Sequence, residues 1–136
     1  MKYVYPAIFR KEEDDTFFIS FPDIGYGGTC GNDMADAIAM AEDFLGNAMV
    51  KIEDEKLEIP NVSTQQELLN STEYEKGDII TFIQTDTVLH RKLMSTTLIK
   101  KTLVIPSNLN EKAVKLGINF SQLMQKALKE ELQMID

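Results

Sequence analysis

Few residues in this chain of 136 carry side chains suited to nucleophilic, acid–base or metal chemistry, apart from carboxylates. His90 is the only histidine and Cys30 the only cysteine, so one chain holds neither a histidine-rich metal site nor a cysteine–histidine nucleophile pair. The 22 Asp and Glu residues are plentiful, and at this density acidic clusters are mostly solvated surface. The glycine-rich run Gly25–Gly28 does not follow a strand and open a long helix, as a dinucleotide-binding loop does. We therefore predict that the chain is not an enzyme and binds no cofactor or metal.

Charge is distributed unevenly along the chain, and this is its second chemical feature. Residues 1–87 hold 18 acidic and 6 basic residues, whereas residues 88–136 hold 4 and 8, so the net charge of −8 divides into −12 and +4. The acidic part repels DNA phosphates and suits a basic partner, while the basic part suits nucleic acid. Acidity alone usually serves only solubility, but a change of sign at one point favours two different partners.

The last forty residues predict one strand followed by two helices. Leu98–Ile105 has the pattern of a short strand, and Pro106 ends it because proline has no N–H for a ladder. Ser107 or Asn108 is suited to cap the next helix, and Gly117 to end it in a left-handed conformation. Asn119 then caps a second helix, whose apolar side comprises Phe120, Leu123, Met124, Ala127, Leu128 and Leu132.

This C-terminal unit is too small to be stable alone. Residues 99–136 number 38, and chains shorter than roughly 40 residues usually need a metal, a disulfide or a partner to fold. A single strand also leaves its backbone N–H and C=O groups without a neighbouring strand. The simplest partner is the same strand of a second copy, which gives an antiparallel ribbon about a two-fold axis. We predict a homodimer or higher even oligomer whose interface includes Leu103, Ile105, Leu123 and Ala127.

The order of these elements resembles the ribbon-helix-helix family of repressors. The proline stop, the Gly117 break and the entry Asn119-Phe120-Ser121 all match that family. In the family, alternate ribbon residues read bases in the major groove, which implies that role for Lys100, Thr102 and Val104. The start of the second helix, at Asn119, Phe120 and Ser121, is expected to present backbone N–H groups to a DNA phosphate. The alternative is an ordinary α+β subdomain.

The first 87 residues predict three strands, a helix and a fourth strand. The first strand, Lys2–Arg10, contains Pro6, which favours an edge position or a bulge, and Thr16–Phe21 pairs with it as a hairpin. A third short strand follows the glycine-rich loop, and Asn32 is suited to cap the long helix. Asp78–Asp86 forms the last strand. Predicted core residues are Tyr3, Tyr5, Ile8 and Phe9, the helix stripe Met34, Ile38, Ala41, Leu45, Ala48 and Ile52, and Ile79, Ile80, Phe82 and Ile83.

Several short motifs in this region resemble the HicB antitoxin family. They are Phe21-Pro22-Asp23 before a glycine-rich loop, Thr29 and Gly31 before the helix, the helical signature Ala37–Leu45, and the later pairs Ile59-Pro60 and Gly77-Asp78. The resemblance implies a degenerate RNase-H-like domain that masks the active site of a small basic HicA-like toxin, an mRNA-cleaving ribonuclease. Members carry a helix-turn-helix or a ribbon-helix-helix tail, and this tail fits the second type.

The predicted architecture is α+β: a degenerate RNase-H-like toxin-binding domain at 1–87, a linker at 88–98 and a ribbon-helix-helix domain at 99–136. Val88–Met94 is equally compatible with a strand extension or a turn of helix. We expect toxin contacts at Asp23 and at the aromatic ring of Tyr26, although Tyr26 packed on its own domain is as plausible. With one cysteine, no apolar run of about 18 residues and no signal peptide, a cytoplasmic protein without membrane contact is expected.

Three functional hypotheses remain open. The first is an antitoxin that binds a HicA-like toxin and represses its own operon at an inverted-repeat operator DNA. The second is a free-standing transcriptional regulator whose N-terminal domain senses another ligand. The third is a divalent-metal nuclease, for which RNase-H chemistry would need converging carboxylates; the first strand, Lys2–Arg10, has none.

Overall fold

The structure is a computed structural model that describes residues 1–134. It divides into two compact units, Met1–Thr96 and a second unit that begins at Thr97. In chain order the elements are β1 (Lys2–Lys11), β2 (Phe17–Ser20), β3 (Thr29–Gly31), α1 (Met34–Asp54), α2 (Gln65–Leu69), β4 (Ile79–Asp86), α3 (Thr87–Met94), α4 (Ser107–Lys115) and α5 (Phe120–Glu131).

The first unit contains one four-stranded sheet in the order β3-β2-β1-β4, with antiparallel neighbours throughout. β1 is therefore a central strand, and it pairs with β4 in unbroken register, so the prediction that Pro6 marks an edge strand or a bulge was wrong. Pro6 lies opposite Phe82 of β4, while the ladder between β1 and β2 begins only at Ile8. On the β2 side, no ladder bond is lost at the proline, so a central position is tolerated.

Helix α1 covers one face of the sheet and closes the main core. Its predicted stripe is confirmed, with Ala41, Leu45, Ala48 and Ile52 buried and Met34 and Ile38 partly buried against the same cluster. From β1, Tyr3, Tyr5 and Phe9 join that cluster, and Ile8 is also buried. The N-cap is Asp33, whose carboxylate accepts from the backbone N–H of Asp36, so the predicted Asn32 cap was off by one residue.

The fourth strand buries less than predicted. Ile83 is buried on the helix side, whereas Ile79 and Phe82 are 44% and 47% exposed. Phe82 pairs with Pro6 and therefore lies on the face opposite Ile83, which α1 does not cover. Successive apolar residues of a strand point to opposite faces of the sheet, and helix α1 covers only one of these faces.

The predicted linker is helical in its first half. Asp86 caps α3 by accepting from the backbone N–H of Val88, and α3 packs on α1. The two helices pack closely because α1 carries Gly46 at the contact. A Cβ atom at this position would clash with the His90 ring of α3. The first unit therefore continues past residue 87 to Thr96.

The second unit contains two helices. Within residues 97–134 no strand is formed. The predicted strand Leu98–Ile105 has no regular secondary structure, because it pairs with no other strand of the described residues. α4 begins at Ser107 with Pro106 at the N-cap and without a side-chain cap, so neither Ser107 nor Asn108 takes the predicted role.

The end of α4 and the start of α5 match the sequence prediction. Gly117 has a φ of 69°, and its N–H donates to the carbonyl of Val114, while Ile118 N–H donates to the carbonyl of Ala113. This is the Schellman arrangement, which requires a left-handed residue. Asn119 caps α5 by accepting from the backbone N–H of Gln122 at 3.1 Å.

Candidate functional surfaces

The loop that joins β2 to β3 is fastened to the rest of its unit by Asp23. Both carboxylate oxygens of Asp23 accept hydrogen bonds from Ser63, one from the backbone N–H at 2.9 Å and one from the hydroxyl. Phe21 anchors the start of the loop by stacking on Phe44 of α1, with ring centroids 5.8 Å apart. Asp23 thus holds the loop against the segment before α2, and its acceptor oxygens are engaged within the chain.

Tyr26 presents its ring at the tip of this loop. It is 51% exposed, and the ammonium of Lys51 on α1 lies 5.6 Å from its ring centroid. Gly25 and Gly27, on either side, have φ values of 85° and 66°, a left-handed backbone that favours glycine. Tyr26 is thus an exposed aromatic side chain at the tip of a loop whose flanking residues take a conformation that glycine adopts without strain.

A carboxylate cluster that sequence reasoning missed joins the two ends of the first unit. Glu53 at the end of α1 accepts from the Tyr3 hydroxyl at 2.8 Å, the Thr87 hydroxyl at 2.9 Å and the Arg91 guanidinium at 3.1 Å. Burial alone would raise the pKa of Glu53, but these three donors together lower it. The partners are 34 to 50 residues away in sequence, so no local pattern signals the contact.

A second ion pair fastens the start of β4. The guanidinium of Arg10 donates to both oxygens of Asp78, from Nε at 3.1 Å and from Nη2 at 2.8 Å. This forked contact lowers the pKa of Asp78. Arg10 also donates to the carbonyl of Glu73, which ties the connection before β4 to the sheet.

The residues predicted to read DNA lie on a fully accessible segment. Lys100, Thr102 and Val104 are exposed, Val104 to 97%, and none lies in a helix or strand. Phe120 and Ser121 occupy the first turn of α5, directly after the Asn119 cap. The residues predicted to contact a phosphate therefore lie at the N-terminus of a helix.

The residues predicted to form the dimer interface are also uncovered. Leu103, Ile105 and Leu123 are 48%, 41% and 54% exposed, and Ala127 is exposed as well. Among residues 97–134, neither α4 nor α5 has a buried residue. In one chain, the second unit thus leaves its apolar side chains in water.

Neither a metal-binding cluster nor a membrane-spanning helix is found in residues 1–134. Within residues 1–134, no group of three or more His, Cys, Asp or Glu side chains is placed to hold a metal ion. Over the same residues, no helix combines the length and apolar character needed to cross a membrane.

Comparison with known families identifies the first unit. Residues 4–69 match the model of the family described as HicB_like antitoxin of bacterial toxin-antitoxin system. The chain carries a HicB-like antitoxin domain. No curated protein matches the sequence. We refer to the unit Met1–Thr96 as the HicB-like domain, since the match lies within it.

Solved structures extend the similarity to the whole chain. A toxin–antitoxin complex from Streptococcus pneumoniae is 26% identical, with a TM-score of 0.56 over 96% of this chain and 99% of that one. Antitoxin HicB of Burkholderia pseudomallei is 18% identical, with a TM-score of 0.55 over 96% and 98%. A HicA3 and HicB3 complex is 24% identical, with a TM-score of 0.51 over 62% and 99%. The last two similarities, both below 25% identity, show the fold alone, which is a mixed α+β architecture. The HicB-like domain forms the N-terminal part of this chain.

Proposed function

We propose that this chain is an antitoxin that neutralises a small basic HicA-like toxin through its HicB-like domain and represses its own operon as a ribbon-helix-helix dimer. The observation that carries the proposal is the family match over residues 4–69, which lies in the acidic part of the chain. A domain with a net charge of −12 over residues 1–87 attracts a basic protein and speeds its association. The RNase-H-like classification of this domain is part of the proposal.

Tyr26 is our proposed anchor for the toxin. Aromatic side chains dominate the centres of protein interfaces, and this ring is half exposed on a loop that the Asp23–Ser63 contact holds to the domain. Asp23 then acts by holding the loop, because its own oxygens are engaged by Ser63. The cation–π contact from Lys51 orients the ring without covering it.

Dimerisation through the second unit is supported by what one chain leaves uncovered. Leu98 and Ile99 are 89% and 84% exposed, and the apolar sides of α4 and α5 are bare. Pairing Leu98–Ile105 with the same segment of a second copy would bury most of the apolar surface that so small a unit can bury. The pairing would also satisfy the backbone N–H and C=O groups of both strands. In that ribbon Leu103 and Ile105 face the shared core together with Leu123 and Ala127.

DNA recognition follows from the same ribbon. Its outward positions are Lys100, Thr102 and Val104, and a two-stranded ribbon fits the major groove. The backbone N–H groups at Asn119, Phe120 and Ser121 then hold a phosphate, and the two-fold axis requires two half-sites in the operator. The positive charge of residues 88–136 favours this contact.

The decisive experiment is co-expression with the product of the adjacent gene. We expect a small basic protein that co-purifies with the chain, halts growth when expressed alone and is silenced by the chain. We also expect the chain to bind the promoter of its own operon more tightly than random DNA. If the adjacent gene encodes no such protein and promoter binding persists, the free-standing regulator replaces the antitoxin.

A further inference from the structure

The outer edge of β4 is an unpaired strand edge. In the order β3-β2-β1-β4, β1 is the one strand that pairs with β4 within residues 1–134. Next to its end, the N–H of Thr87 donates to the carbonyl of Met1, so Thr87, Thr85, Ile83 and Thr81 take the hydrogen-bonded positions opposite β1. The residues between them, Ile80, Phe82 and Gln84, turn their backbone N–H and C=O groups outward. Within residues 1–134, those outward groups have no hydrogen-bond partner.

This edge lacks the usual protection against pairing. Proteins commonly guard an exposed edge strand with lysine, proline, a bulge or a short length. β4 is eight residues long, contains neither lysine nor proline, and pairs with β1 in unbroken register from Ile79 to Asp86. A long regular edge without these devices is a ready template for strand addition.

Exposed apolar side chains accompany the free edge. Phe82 is 47% exposed, and Val4 of β1 is 42% exposed. Val4 pairs with Gln84, so Val4 and Phe82 lie on the same face and are diagonal neighbours. A strand added to β4 would therefore gain both main-chain hydrogen bonds and apolar contact with Phe82.

Charge selects the occupant of this edge. Self-pairing of two β4 strands about Phe82 would set Asp78 of each copy beside Asp86 of the other, and the two domains carry net charge of the same sign. β4 itself contains no basic residue, and acidic residues stand at both ends of the strand. These features disfavour a second copy and favour a strand that carries lysine or arginine.

We infer that a β-strand of the basic partner adds to the free edge of β4 and extends the sheet to five strands. This inference rests on the proposed function, because the partner is the toxin of that proposal. It does not depend on Tyr26, whose loop joins β2 to β3 at the other side of the sheet order. The two surfaces can therefore be tested separately.

Hydrogen exchange of the full chain tests the edge directly. In the free chain the amides of Ile80, Phe82 and Gln84 should exchange fast, while those of Thr81 and Ile83 are protected by β1. Addition of the basic protein encoded by the adjacent gene should slow the three outward amides at least tenfold. Unchanged exchange in a formed complex overturns the inference, and so does concentration-dependent protection in the free chain, which would mean that a second copy occupies the edge.

A substitution provides the second measurement. Gln84→Pro removes one outward N–H and leaves the ladder with β1 intact, and we expect it to weaken partner binding by about tenfold or more. Gln84→Ala keeps the N–H and is the matched control, with circular dichroism checking the fold of both. Equal binding by both variants overturns the edge inference while the antitoxin proposal stands. If the unaltered chain does not bind the basic protein, the proposed function itself fails.

Discussion

The ring of His90 lies directly over Gly46, and a Cβ atom at Gly46 would clash with its Nδ1. The same ring places Nε2 2.7 Å from Oδ1 of Asn47, so α3 packs on α1 through this small residue and a polar contact, in addition to the Arg91–Glu53 hydrogen bond. The single histidine of the chain thus has a packing role. It fixes the last helix of the HicB-like domain directly before the segment that leads to the second unit.

Gly46→Ala should therefore destabilise the HicB-like domain, even though alanine is the better helix former. Overpacking costs about 1–3 kcal/mol, against a gain of roughly 1 kcal/mol in helix propensity. We expect a lower free energy of unfolding by denaturant titration and loss of protection in the amides of α3. The double variant Gly46→Ala/His90→Ala should recover most of the loss. A single variant as stable as the parent would mean that α3 is not held at this contact.

The Arg10–Asp78 pair predicts a specific dependence of stability on acid. The pKa of Asp78 is lowered in the fold, chiefly by the hydrogen bonds from Arg10. The stabilisation is therefore complete above the unfolded-state pKa of about 3.9 and is lost as the pH falls through the folded value. Asp78→Asn should lower the free energy of unfolding by about 1–2 kcal/mol at pH 7, with a smaller difference from the parent in strong acid. A difference that does not change with pH would contradict this assignment.

Local sequence patterns predicted which elements the HicB-like domain contains better than they predicted which elements lie beside each other. The stripe from Ala41 to Ile52 and the burial of Tyr5 and Phe9 follow from helical and strand periodicity, which act within a few residues. The central position of β1 was missed, because strand order depends on the pairing with β4, whose residues lie 70 to 84 positions further along the chain. The docking of α3 was missed for the same reason.

The two surfaces of the site differ in how far sequence could locate them. The Asn119 cap and the Gly117 turn were predicted because they are short-range backbone requirements. The hydrogen bonds from Ser63 to Asp23 were not predicted, because the sequence around a loop carboxylate does not indicate which distant donor will bind it. Leu98–Ile105 has a strand pattern but forms no strand here, and in the proposed ribbon the second strand would come from another copy of the chain.

Tyr26→Ala should weaken binding of the basic partner by at least 2 kcal/mol if the ring is a central anchor, as truncations of buried interface aromatics do. Tyr26→Phe keeps the ring and should retain most of the affinity. Calorimetry with the co-purified partner measures both. Because Asp23 holds the loop, Ser63→Ala should give a smaller loss through poorer positioning. If Tyr26→Ala binds as tightly as Tyr26→Phe, the loop is not the anchor.

Leu103→Lys should dissociate the dimer, whereas Val104→Lys should leave it intact. The two residues are adjacent but lie on opposite faces of the proposed ribbon, so the same charge is buried at the shared core in one variant and exposed in the other. Solution mass measurement at micromolar concentration should give single chains only for Leu103→Lys. Equal masses for both variants would show that the ribbon has a different register, and single chains of the unaltered protein would remove the ribbon.

Thr102→Ala and Ser121→Glu should affect DNA binding in different ways, because one residue is proposed to read a base and the other to lie beside a phosphate. Loss of a base contact costs about 1–3 kcal/mol on the operator and little on random DNA. A carboxylate at the start of α5 repels phosphate wherever the protein binds, so Ser121→Glu should weaken both DNAs alike. Titrations at fixed salt should measure, for each variant, the loss of affinity for the operator duplex and for a random duplex. Equal losses on both duplexes for Thr102→Ala would remove Thr102 from the reading set, and unchanged binding by Ser121→Glu would mean that this helix end does not face the DNA.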